Sequence, residues 1–177
     1  MNMKTKYLIL VAMLVPFIGA GQTIIKRDSL KYYKFHAEAQ FDMVGDYATT
    51  IYWLNKAIRL DPKDDELYLM RAFSKGRLDD WKGREADYSI VISLDPGNVA
   101  AYTGRASARV KLKKYREAIS DYDWLLDVDP HYYGFYLDRG ICKWELREKD
   151  DACRDYRQAS RLGSVFAYVL IMEHCLE

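Results

Sequence analysis

Proline, cysteine and histidine are scarce in this chain: 177 residues hold four prolines, three cysteines and three histidines. His36, His131 and His174 are far apart and form no HExxH or related metal spacing, which argues against a zinc site. No CxxC, GxSxG or glycine-rich phosphate loop occurs, so the usual redox, acyl-transfer and nucleotide chemistries have no residues to act through. Charge of one sign is never concentrated. The 27 basic and 26 acidic side chains are interleaved along the chain, without the basic stripe that nucleic acid or an anionic membrane surface requires. These absences predict a protein that is not an enzyme, with no metal, no cofactor, no nucleic-acid partner and no small-molecule substrate.

Long apolar runs are also missing, with one exception at the amino terminus. MNMKTK is a short positive start, YLILVAMLVPFI is an unbroken apolar stretch, and GAGQ supplies small residues that fit cleavage after Gly21. Residues 1–21 therefore read as a signal peptide, and the expectation is export to the periplasm or exterior. The alternative is an uncleaved membrane anchor, since no charge occurs between Lys6 and Lys26 and that length could just span a bilayer. Against it, Pro16, Gly19, Gly21, Gln22 and Thr23 break and polarise its second half. Cleavage removes Lys4 and Lys6 and no acids, leaving 25 basic against 26 acidic side chains.

The few prolines are not scattered. Asp61-Pro62, Asp95-Pro96 and Asp129-Pro130 recur at one constant interval. Rows of that length beginning at Lys31, Asp65, Val99 and Tyr133 expose further columns. They include Tyr68, Tyr102, Tyr136; Arg71, Arg105, Arg139; the small Ala72, Ala106, Gly140; Leu78, Leu112, Leu146; Tyr88, Tyr122, Tyr156; and Leu60, Leu94, Val128, Leu162. Spacings of three, four and seven within each row predict two short helices joined by a turn near GDY, DDW or KKY. Proline cannot continue the helix before it but is tolerated at the entry of the next. Asp64 and Asn98 are placed as N-caps, with Asp65 and Glu66 in a first turn that favours negative charge. One helix pair cannot bury its apolar face, whereas stacked pairs can.

This pattern resembles the tetratricopeptide repeat (TPR), whose period is about 34 residues. The resemblance implies an all-α, right-handed α-solenoid of antiparallel helix pairs. It divides the chain into a short segment 22–30, four repeats over 31–166 (31–64, 65–98, 99–132 and 133–166) and a capping helix over 165–177, N-capped by Ser164. Row one departs with Lys34, Ala37 and Glu38, and row four has Gly163-Ser164 in place of Asp-Pro. Arg84 is out of step with Ala118 and Ala152 in its column.

Arg71, Arg105 and Arg139 are followed, at the same spacing each time, by Asp87, Asp121 and Asp155, while row one has Ala37 and Trp53 instead. Loss of both partners together predicts structural ion pairs across helices. Cys142 and Cys153 flank the row-four turn almost symmetrically, which makes them the candidate disulfide in an exported protein. Buried free thiols are the alternative, and Cys175 is left over in either case.

The face of each first helix opposite these columns is less polar than solvent exposure warrants. It carries Tyr32, Phe35 and Met43 in row one, Leu69, Phe73 and Arg77 in row two, Thr103, Ser107 and Lys111 in row three, and Leu137, Ile141 and Trp144 in row four. The resemblance implies that this face lines a concave groove for a protein or peptide segment. Phe35 and Ala39 stand where some relatives grip a terminal carboxylate with Lys and Asn, so an amphipathic helix or extended apolar segment is the expected occupant. Residues 22–30 could fold back over the groove. A second expectation is self-association through the cap helix, with Phe166, Tyr168, Val169 and Met172, as part of an envelope scaffold.

Overall fold

The computed structural model describes residues 22–41 and 45–175; the leader 1–21, Met43 and Leu176 lie outside the described residues. Among the described residues there are nine helices and no strand. They are α1 (22–39), α2 (Tyr47–Leu60), α3 (Asp65–Arg77), α4 (Trp81–Leu94), α5 (Val99–Lys111), α6 (Tyr115–Val128), α7 (Tyr133–Glu145), α8 (Lys149–Arg161) and α9 (Val165–His174). They fall into two compact units, one ending at Leu67 and the other starting at Tyr68.

In the first unit α1 is helical from residue 22, so residues 22–30 are its opening turns and not an extended strap. Ala37, Leu54 and Ala57 are fully buried. Trp53 stacks on His36 (4.9 Å) and Tyr33 (5.9 Å), with Tyr32 edge-on at 5.8 Å. An aromatic cluster thus fills the place where other rows have an arginine and an aspartate. Lys34 pairs with Asp64.

In the second unit each helix packs on the next, from α4 through α9. Side chains close the helix starts: Asp80 accepts from the Gly83 N–H (2.9 Å), Asn98 from Ala101 (3.0 Å) and Ser164 from Ala167 (3.2 Å). The turn inside each row places Asp79, Lys113 or Arg147 at φ 59°, 58° or 66°. The following N–H then reaches back to the carbonyl of Lys75, Arg109 or Lys143, at 2.8–3.0 Å. These left-handed, non-glycine residues each cost about 1–2 kcal/mol, which the closing bond and packing offset. Ala106, Ala118, Tyr122, Leu125, Phe135 and Cys142 form one buried cluster, against which Tyr102 and Trp124 stack at 3.8 Å.

The arginine and aspartate columns meet within rows, as bidentate bonds: Arg71 to Asp87 (2.9 and 2.6 Å), Arg105 to Asp121 (3.2 and 2.7 Å), Arg139 to Asp155 (2.9 and 2.6 Å). A second cation, one helical turn further on, grips the same carboxylate each time. Lys75 reaches Asp87 at 2.9 Å, and Arg109 and Lys143 reach Asp121 and Asp155 at 2.7 Å. Each arginine also lies over the tyrosine three residues before it, at 5.3–5.6 Å. Two rows are tied to the preceding one, by Arg105 to Ser89 (3.4 Å) and Arg139 to Asp123 (2.7 Å).

Arg84 has a physical account. A Cβ on Gly76 would collide with its guanidinium, and the column of Gly76 otherwise holds Val110 and Trp144. The large residue has moved from one helix to its neighbour, exchanging volume across the pair. Its guanidinium faces the rings of Trp81 (5.7 Å) and Tyr88 (5.5 Å), and its buried Nε has no hydrogen-bond partner among the described residues.

The disulfide expectation is corrected. Cys153 is bonded to Cys175, with Cα atoms 5.8 Å apart, and Cys142 is free and buried. Cys142 faces back into the cluster with Ala118 and Tyr122 of α6, whereas Cys153 faces forward to the end of antiparallel α9. Burial, with the charges of Asp138 and Glu145, pushes the Cys142 thiol up to about 12.

Candidate functional site

The first helices of rows two to four carry the predicted groove residues of the second unit. Leu69, Phe73 and Arg77 follow a four-residue spacing on α3, as do Thr103, Ser107 and Lys111 on α5, and Leu137 and Ile141 on α7. Such spacing keeps each set on one side of its helix. Phe73 is 43% exposed, Arg77 and Lys111 are exposed, and Leu69, Ser107, Leu137, Ile141 and Trp144 are half-buried. Tyr32 and Phe35 belong to the first unit, where both are exposed on α1.

The structure brings Ser107, Lys111 and Ile141 together around a pocket of about 170 Å³, completed by Val110, Tyr122 and Asp138. Apolar walls from Val110 and Ile141 surround a small set of polar groups. Lys111 extends toward the Trp81 ring, 5.8 Å from its centroid. Trp144 is partly roofed, since His174 stacks on its ring at 4.5 Å and Lys149 approaches at 5.4 Å. That cover comes from α8 and α9, and row spacing alone could not reveal it.

Asp138 is the residue that sequence reasoning missed. Its column holds Met70 and Gly104, so a carboxylate there was the available signal. Asp87, Asp121 and Asp155 are each held by two cations, yet Asp138 forms no ion pair among the described residues. Asp138 stays exposed at the pocket rim, where partial desolvation by its neighbours raises its pKa above the ordinary aspartate value and a hydrogen bond from the Tyr122 hydroxyl opposes the rise. Burial also pushes the Tyr122 phenol up, with the Asp138 charge adding to it. The pocket therefore offers an exposed carboxylate, already bonded by Tyr122, beside apolar walls.

Two other clefts lie among the described residues, and the second shares Thr103 with this face. One of about 360 Å³ beside the disulfide is lined by Lys149, Asp150, Arg154 and Arg157, charges of mixed sign. The other, about 440 Å³ and mostly apolar, is lined by Val99, Leu125, Val128, Tyr132 and Phe135.

No family model and no curated protein matches the chain. Solved structures do. MamA residues 41-end from Desulfovibrio magneticus RS-1 is similar with a TM-score of 0.74 at 15% identity, over 82% of this chain and 86% of that one. A tetratricopeptide repeat protein from Parabacteroides merdae ATCC 43184 gives 0.73 at 21%, over 80% and 57%. The first TPR of Spaghetti (RPAP3), bound to HSP90 peptide SRMEEVD, gives 0.58 at 25%, over 68% and 97%. The described residues are all-α and form helix pairs of the kind that build solenoids. Their fold is that of the tetratricopeptide repeat.

Proposed function

We propose that the protein is an exported, non-enzymatic interaction module that holds a segment of another protein against the α3, α5 and α7 face. The observation that carries this reading is the convergence of Ser107, Lys111, Asp138 and Ile141 on one pocket, with Phe73 exposed on α3. Apolar walls with a few directed polar groups are what a bound segment needs for affinity and orientation. The similarity to a TPR that holds a peptide supports the same kind of occupant. The lining of the pocket suits an apolar segment that brings a hydrogen-bond donor to Asp138. Export is supported by the leader pattern and by the Cys153–Cys175 bond, because disulfides persist in oxidising compartments.

Site-specific photo-crosslinking tests the reading. A photoreactive phenylalanine in place of Phe73 should give a discrete adduct in envelope or secreted fractions, and the same group at Asp127 on α6 should not. Adding Ile141→Glu should abolish the adduct while helicity is retained. Equal adducts from both positions, or none from residue 73, would overturn the groove assignment. Amino-terminal sequencing of the purified protein checks export, with Gln22 expected first.

A further inference from the structure

Helix α9 departs from the pattern of the other helices in the second unit. Its ten residues, VFAYVLIMEH, are apolar but for the Tyr168 hydroxyl and for Glu173 and His174 at the end. A helix that is apolar all round belongs in an interior, yet here only Ala167 is fully buried. Val165, Tyr168, Val169 and Met172, spaced i, i+3, i+4, i+7, are 79%, 56%, 42% and 50% exposed.

Register with the preceding rows shows which face this is. Counted from the first helical residue, the fourth is Tyr102, Tyr136 and Tyr168, and the eighth is Ala106, Gly140 and Met172. In row four the eighth position receives the second helix of its own row, since a Cβ on Gly140 would lie 2.7 Å from the Tyr156 ring of α8. In α9 the same position holds a bulky side chain. A further repeat helix could not approach as closely as α8 approaches α7, so the face is not built to continue the solenoid.

We propose that this face is a symmetric dimer interface, in which α9 of one copy packs on α9 of a second. Three observations favour a second copy over a different protein. The stripe carries no charge to specify a hetero-partner, so it is complementary to itself. Val169 lies at the middle of the helix, so a twofold axis across α9 brings it near its counterpart. The exposed stripe with Phe166 amounts to on the order of 500 Å² per copy, so a pair that covers it fully buries on the order of 1,000 Å², the lower threshold for a biological interface. The Cys153–Cys175 bond anchors the end of α9 to α8, so the helix is held in place before association and little ordering entropy is lost.

The test uses protein purified after expression of the full chain with its disulfide intact, sized by light scattering and sedimentation. The wild type should be a dimer at tens of micromolar. Val169→Lys and Val169→Glu should each weaken association at least about 100-fold, because each places two like charges at an apolar twofold. Mixing the two variants should restore the dimer, which a misfolded variant cannot do. A monomeric wild type at about 100 µM would overturn the proposal and leave the face to a different partner. So would variants that remain dimeric, or variants that stay monomeric after mixing.

Discussion

Asp121 sits where two arginines of one helix converge, and its removal is the most informative perturbation of the fold. Its side chain is almost fully buried, at 3% exposure, while Arg105 and Arg109 retain 15% and 17%. Replacing it by alanine leaves two cations facing each other across a dry space, a situation that costs about 3–5 kcal/mol when the surviving charge is buried. Two features reduce this. Both arginines reach solvent in part, and Arg109 keeps Glu85 at 3.2 Å while Arg105 keeps Ser89 at 3.4 Å. The expected loss for Asp121→Ala is therefore about 3 kcal/mol. Urea denaturation followed by circular dichroism reads it, with hydrogen exchange on α5 and α6 reporting whether the loss is local, as repeat stacks allow. Removing all three charges as Arg105→Met, Arg109→Leu, Asp121→Leu should recover most of the loss. Row one already carries such an exchange, with Ala37, Phe41 and Trp53 in the three columns. A cost below about 1 kcal/mol for Asp121→Ala, or no recovery in the triple variant, would refute the reading of these residues as mutually neutralising structural ion pairs.

Two further outcomes follow from the cysteines and from Asp138. Peptide mapping without reduction should find Cys153 joined to Cys175, and reduction should lower stability by about 3 kcal/mol for a loop of this length. Cys142 should resist iodoacetamide at pH 8 until the protein is unfolded, since its thiol is buried and burial pushes its pKa up to about 12; rapid alkylation of the native protein would contradict the packing. Asp138 has a folded pKa raised above its unfolded value, so the folded state binds its proton more tightly and this group's contribution to stability improves as pH falls. A carboxyl NMR titration should therefore show a midpoint above the ordinary value of about 4. Asp138→Asn should stabilise the protein at pH 7, and a midpoint at or below the ordinary value would sink the account of the pocket.

The repeat period, the two-helix rows, the caps at Asn98 and Ser164 and the arginine and aspartate columns were all readable in the sequence, because each is a local or periodic constraint imposed by helix geometry. The second cation on each carboxylate was equally visible as the column Lys75, Arg109, Lys143, one turn from the first. Tertiary structure alone decided three matters. It chose Cys175 over Cys142 as the partner of Cys153, because bonding depends on which face of α8 meets which neighbour and not on distance from a turn. It explained Arg84 through Gly76, a volume exchange between two helices that a column-by-column reading separates. It joined Asp138 of α7 to Ser107 and Lys111 of α5 and Tyr122 of α6 in one pocket, since residues from three helices share a site only after the helices have packed.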